Sequence, residues 1–413
     1  MHSHRSVRRI LGSAAIFILA AVAAAQAAGP DPKWDAWLKA NEFGPYQKDE
    51  NWAEIKAKAE KEGEVVVYSS TPTVTALAED FMKLHPTIKV KAFHLGSEKT
   101  IEKASREQQA GIFAADVVNT GGTEQMIFDM LPNRRLVNYV PRYLVGSVPE
   151  QHREPLLAHV MEAYVLFYNA DLYKGQAPIK NIWELTEPQW KGRFAMKSPL
   201  GSLTTLSAFA AIVENEAAMA KAYEAHAGKK LVLSKGIESA GYEFLHRLIG
   251  NDIVFYDNGS KLATASGMRG QQKPPITLPS MHYLGQNATN NYANAIPVDL
   301  DPSAIFAYPT YVAVGAYAPH PNAAKLFVAF MMGSKDLTAA TELKPPYRSG
   351  RSLELLQGMA SFYQVGTFSP RTDMPMPPGG EMWPTARRLE ATPEFQRDNI
   401  AKINDFWIVE TSR

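Results

Sequence analysis

Residues 63–84 leave the chain little choice of local fold. A β-branched run, Val65 to Val67, ends in Ser69, Ser70, Thr71 and Thr73, and Val74, Leu77, Phe81 and Leu84 follow at helical spacing. A buried strand, a hydroxyl-rich turn and a helix start together point free backbone N–H groups and hydroxyls at a ligand. Taken alone, the same residues make an equally good capping turn, with Ser70 or Thr71 closing a helix that has Pro72 at its first position. Recurrence of the pattern separates the two readings.

The pattern recurs. Ile88 to Phe93 alternates as a second strand, and Ala114 to Asn119 reads as a third, running into Thr120-Gly-Gly-Thr123 before a helix from Glu124. Three strand–helix units in a row predict a parallel α/β lobe whose ligand crevice lies beyond the carboxyl ends of the strands. Ser69, Ser70 and Thr71 fall at one such end, and Gly121 and Gly122 at another. A Pro- and Arg-containing segment, 133–155, then reads as a crossing, and Met161 to Asn169 as a strand. Phe194 to Lys197 leads through Ser198, Gly201, Ser202 and Thr204 into a helix marked by Leu206, Ala210 and Val213. A third copy follows: strand Ile253 to Tyr256, a turn with Asn258 and Ser260, and a helix from Lys261. Ile305 to Gly315 is strand-like, with Pro309 marking an edge or break. Phe368 to Trp383 is rich in Pro and Gly and reads as irregular, and a last helix is expected from Pro393 to Phe406.

At 413 residues the chain exceeds one ordinary core, so two lobes are expected. Arg5, Arg8 and Arg9, an apolar stretch from Ile10 to Ala24 and Ala25-Gln-Ala27 make residues 1–27 a cleavable secretory signal, with a polar leader over 28–50. Without those three arginines the 43 basic residues fall to 40 against 42 acidic ones, a balance of −2 that leaves no basic footprint for nucleic acid. The absence of cysteine excludes disulfides, thiolate metal sites and an N-terminal lipid anchor. These features predict a periplasmic protein.

Several ordered motifs resemble one family. They are Ala59-Glu-Lys-Glu-Gly-Glu-Val-Val-Val-Tyr-Ser69, Phe167-Tyr-Asn-Ala-Asp-Leu, Trp183-Glu-Leu, Trp190-Lys-Gly-Arg-Phe, Ser198-Pro-Leu-Gly-Ser and Ala318-Pro-His-Pro-Asn-Ala-Ala-Lys-Leu-Phe. Across residues 50–335 the chain is similar to the family 1 extracellular solute-binding proteins of ABC importers, in the branch with the ferric-iron-binding proteins. The resemblance implies a type II periplasmic-binding-protein clamshell: two α/β lobes, each a mostly parallel sheet flanked by helices, joined by two hinge crossings. Lobe 1 would hold 51–140 and 290–335, lobe 2 141–289, with 336–413 packing on both as helices and tail. It further implies a monomer that delivers a small-molecule solute to a membrane permease, with no cofactor.

Iron-binding members of the family use adjacent tyrosines. Here the matching region, Leu278 to Gly285, has His282 beside Tyr283 and no Tyr-Tyr pair. Ferric iron favours phenolate and carboxylate ligands, so no metal is expected. The expected cargo is a small anionic or carboxylate-bearing organic solute, held by helix N-termini and hydroxyls rather than by buried Lys or Arg. Its expected ligand-binding residues are Ser69, Ser70, Thr71, Gly121, Gly122, Ser198, Gly201, Ser202, Thr204, Asn258, Ser260, Tyr283 and Tyr308. A ferric-iron or iron–anion receptor is the alternative within the family. A periplasmic enzyme is the alternative outside it, without support from G-x-S-x-G, H-E-x-x-H, P-loop or G-x-G-x-x-G motifs.

Overall fold

The structure, a computed structural model, describes residues 31–44, 49–337, 343, 347–363, 367–376, 380, 382–383 and 385–412. The expected signal segment, 1–27, lies outside them.

Helix α1 (Pro32–Ala40) is capped by Asp31, and α2 (Trp52–Glu62) runs from the Asn51 cap to Gly63, whose φ of 71° closes the helix in the left-handed region. The chain continues through β1 (Glu64–Ser69), α3 (Val74–Leu84), β2 (Lys89–His94), α4 (Ser97–Gln109), β3 (Val117–Thr120), α5 (Thr123–Gln125, extended by a wider turn over Met126–Met130) and β4 (Leu136–Val137). β5 (Ala158–Val165) and β6 (Tyr168–Asn169) divide the single strand expected over 161–169. Next come β7 (Phe194–Met196), α6 (Leu203–Glu214), α7 (Glu216–Ala227), α8 (Ala240–Gly250), β8 (Val254–Phe255), α9 (Gly259–Gly267), β9 (Ile276–Leu278), α10 (Gln286–Asn290) and β10 (Asn294–Ala295). The chain ends with β11 (Ile305–Gly315), α11 (Pro321–Met332), α12 (Gly350–Leu356), α13 (Met359–Tyr363), β12 (Leu389–Glu390) and α14 (Pro393–Thr411).

Two sheets organise most of these elements, and β6 and β10 form a separate two-stranded antiparallel ladder. The larger has the order β12-β11-β3-β1-β2, with β4 and β5 also pairing to β11. β1 pairs in parallel with β2 and β3, whereas β11 runs antiparallel to β3, β4 and β5, so this sheet is mixed rather than mostly parallel. The smaller sheet, β8-β7-β9, is parallel throughout. Pro309 does not break β11. It lies opposite Met161, between the stretches of β11 that pair with β12 and β3, where the strand lacks a partner that needs its missing N–H.

A separate core surrounds each sheet. Phe81 on α3 is fully buried with its ring centroid 5.0 Å from Phe327 and 5.2 Å from Phe330 on α11; truncating such a residue to Ala costs about 3–5 kcal/mol. In the second core Trp183, Phe209, Phe244 and Trp407 are all almost completely buried. β5 places Val160 in the first core and Ala163 to Val165 in the second, while β11 places Ile305 to Tyr308 in the second and Val312 and Val314 in the first. The molecule is therefore an α/β protein of two domains spanned by one antiparallel strand pair.

The segment after α11 visits both domains. α12 and α13 bury Leu356, Met359 and Phe362 in the first core. Arg371, 2% exposed, donates to the carbonyls of Met332, Gly333 and Ser334, which orders a stretch that reads as irregular. α14, capped by Thr392, packs on α6 and α8 through Phe406 and Trp407, and its first turns reach α5. There the Arg397 guanidinium lies 4.8 Å over the Phe128 ring.

Candidate functional site

A cavity of about 280 Å³ opens between the two domains over the β5–β11 pair. Four turns form its walls. In the first domain, the turn after β1 contributes Ser70, Thr71 and Pro72, and the start of α4 contributes Gly96 and Ser97. In the second, the start of α6 contributes Gly201, Ser202 and Thr204, and the start of α9 Asn258 and Gly259. The first N–H groups of a helix have no partner within it, so these starts present donors and partial positive charge. Neither Gly96 before α4 nor Ser202 before α6 closes its helix with a side-chain cap. Asn258 does cap α9, accepting from Lys261 N at 3.0 Å. Lys197, at the end of β7, adds a full positive charge with no ion pair among the described residues.

The floor has a different chemistry. Glu162 and Tyr164 project from β5, and Tyr308 and Thr310 from β11, at the period-two spacing that puts them on one sheet face. Tyr164 and Tyr308 stand 5.7 Å apart, centroid to centroid, and His282 stacks at 4.2 Å on Tyr283. Hydroxyls of Tyr164, Ser202, Thr204 and Thr205 form a chain: Thr205 donates to Tyr164 at 3.0 Å, and Ser202 and Thr205 are 2.8 Å apart. Burial holds the Tyr308 hydroxyl well above the ordinary tyrosine range, with nearby Tyr164 and Glu162 adding to the effect. Burial also raises Tyr283. Both remain neutral donors at neutral pH.

Of the expected ligand residues, Ser70, Thr71, Gly201, Ser202, Thr204, Asn258, Tyr283 and Tyr308 line this cavity. Ser69 does not. It is fully buried, donates to Asn119 Oδ1 at 3.0 Å and accepts from Thr71 N, so it builds the turn rather than the wall. Gly121 and Gly122 lie behind the wall. A Cβ on Gly121 would come within 2.7 Å of Thr204 Cγ2, so the absent side chain lets α6 approach the β3–α5 turn. Ser198 accepts from Leu200 N within its own turn, and Ser260 bonds Gln286; both are off the cavity. Pro72 precedes rather than opens α3, which starts at Val74 after an uncapped Thr73.

Sequence reasoning passed over Glu162, Lys197, His94, Ser97, Ser280 and Thr310 as wall or floor residues. Lys197, only partly buried, adds a cation to a wall expected to rely on helix starts and hydroxyls rather than on buried Lys or Arg; its signal was its place at the carboxyl end of a short strand. Among the described residues no three His, Cys, Asp or Glu side chains gather to hold a metal.

Residues 68–336 match the bacterial extracellular solute-binding protein family. Among curated proteins there is no match. Among solved structures the chain is similar to iron-bound HitA from Pseudomonas aeruginosa, at 18% identity and a TM-score of 0.62 over 84% of this chain and 99% of that one. It is similar to AfuA from Actinobacillus pleuropneumoniae with fructose-6-phosphate bound, at 16% identity and a TM-score of 0.59 over 85% and 99%. It is also similar to Trichodesmium IdiA (FutA) in complex with iron and citrate, at 15% identity and a TM-score of 0.56 over 85% and 100%. At such identities the likeness establishes the fold alone, a two-domain α/β periplasmic binding fold. The chain belongs to the bacterial extracellular solute-binding proteins, non-catalytic periplasmic receptors of ABC import systems.

Proposed function

We propose that this receptor captures a small anionic organic solute in the cavity between its lobes and delivers it to a membrane permease. The observation that carries this reading is the meeting of three helix starts, from α4, α6 and α9, with Lys197 around one cavity. Such a set neutralises an anionic group by oriented N–H donors and one mobile charge. Ser70, Thr71, Gly201, Ser202, Thr204 and Asn258 are its proposed contacts, with Tyr283 and Tyr308 as an aromatic wall. The lobe limits expected from sequence are 51–140 with 290–335 against 141–289; with the crossings inside β5 and β11, the proposed lobes shift 141–160 into the first and 290–308 into the second. Closure of the two lobes on the cargo, in a monomer, is part of the same proposal.

A second reading is a ferric ion carried together with an anion. The relatives favour it, since iron-bound proteins recur among them, one with citrate. In this chain it is favoured by Glu162, His282, Tyr283 and Tyr308 around one floor. Against it stands His282 where a second tyrosine would give iron a hard phenolate ligand.

Calorimetric titration of chelator-treated protein with carboxylates, phosphate esters and citrate, each with and without ferric ion, separates the two. Binding of an anion without metal is the expected result. A visible phenolate-to-iron charge-transfer band, with binding only when ferric ion is present, would replace it by the second reading.

A further inference from the structure

The floor of the cavity conflicts with the walls if the cargo carries negative charge alone. Glu162 is 8% exposed. Its Oε1 accepts from Thr367 at 3.2 Å, but its Oε2 is buried without a hydrogen bond, 3.6 Å from His282 Nδ1, within ion-pair range but too long for a hydrogen bond. His282 Nε2 is likewise buried and unpartnered. A desolvated carboxylate oxygen facing a binding cavity repels an anion and requires a donor, preferably a charged one.

We infer that the cargo is dipolar, carrying a protonated nitrogen that seats on Glu162 and an anionic group that seats at the helix starts and Lys197. This rests on the reading above that the cavity is the cargo site, and it narrows the substrate class to small aminocarboxylates and aminoalkylphosphonates. The two poles have separate origins in the chain. The negative pole belongs to the β5–β11 floor, where Glu162 pairs in register with Tyr308. The tilted rings of Tyr164 and Tyr308 offer π faces of the kind that attract an ammonium group. The positive pole belongs to the walls, built from α4 on one side and α6, α9 and Lys197 on the other. A cavity of about 280 Å³ holds on the order of ten non-hydrogen atoms, taking roughly 30 Å³ for each water-sized group, enough to span both poles.

The test uses full-length protein freed of metal and bound ligand, and matched pairs that differ only in a terminal amine. Suitable pairs are γ-aminobutyrate with butyrate and 3-aminopropylphosphonate with propylphosphonate, titrated calorimetrically. In at least one pair the amine-bearing member is expected to bind about ten-fold tighter or better. Glu162→Gln should bring the ratio within that pair close to one, and Lys197→Gln should weaken both members. Thermal unfolding of each variant checks that it is folded. Equal affinity within every pair, or a preference that survives Glu162→Gln, overturns the dipolar cargo while leaving an anion receptor in place. Failure of every member to bind, with ferric citrate binding and a charge-transfer band, overturns the anion reading as well.

Discussion

Thr367, which lies beyond the family-matched residues 68–336, donates its hydroxyl to Glu162 Oε1 at 3.2 Å on the floor of the cavity. Both residues are buried, and the Glu162 carboxylate has no other hydrogen bond within the described residues. The C-terminal segment thus supplies one of the groups that hold a cavity residue in place.

Thr367→Val keeps the shape and removes the donor, leaving both Glu162 oxygens without a partner. The expected loss is about 1–3 kcal/mol in urea unfolding. An unchanged midpoint would detach the tail from the floor.

Gly259→Ala tests the wall. A Cβ there would meet Tyr283 Cε2 at 2.1 Å, so the ring must swing away, while the backbone, at an ordinary φ, tolerates Ala. Affinity for the cargo is expected to fall about ten-fold or more, with little change in unfolding temperature. Retained affinity would take Tyr283 out of the site.

Glu124→Gln is expected to stabilise the protein at neutral pH. Both Glu124 oxygens are buried without partners, and burial raises its pKa above the ordinary 4.5. A carboxyl raised in the folded state binds more protons there than in the unfolded chain, so its contribution declines as pH rises above the unfolded value. The gain should be about 1–3 kcal/mol at pH 7 and vanish below pH ~4. A destabilised variant at pH 7 would point to an unrecognised partner for the carboxylate.

Acid sensitivity should come partly from His159 on β5. It lies between Asn119 and the Met331 carbonyl, and burial lowers it from 6.5 to about 3. His85 is lowered to about 4 for the same reason. Between those values and 6.5 the unfolded chain binds the extra protons, so stability falls as pH drops through that window, by up to ~1.4 kcal/mol per unit for each group. Urea midpoints from pH 7 to 4.5 should decline less steeply in His159→Gln. Parallel slopes would assign the sensitivity elsewhere.

The walls were more legible in the sequence than the floor. Ser70, Thr71, Ser202 and Asn258 announce themselves because hydroxyl and amide residues cluster where an apolar run stops, a local signal. Glu162 stands within a strand buried at all eight positions, with no alternation to show which face meets a ligand. Its place on the floor comes from pairing with β11, about 146 residues later in register with Tyr308, a separation no local pattern reports. Ser69 and Gly121 misled for the opposite reason: the sequence shows that they sit at a turn, but not that Asn119 and Thr204 occupy the space beside them. The tail was equally hidden, since Arg371 orders it by bonding three carbonyls rather than through any periodic pattern.

Helix α14 gives the two lobes a further contact besides β5, β11 and the packing of α6 on the β3–α5 turn. Its Trp407 end is fixed in the second core, with the ring centroid 5.0 Å from Phe209, while Arg397 rests on Phe128 in the first domain. A cation–ring contact at an exposed site is worth roughly 0.5–1 kcal/mol, close to thermal energy. In the proposed closure such a contact acts as a detent rather than a lock. On that proposal it would set the resting gape of the empty receptor and yield when cargo binds, so changes at Arg397 should appear in the rate at which cargo is released before they appear in how tightly it is held.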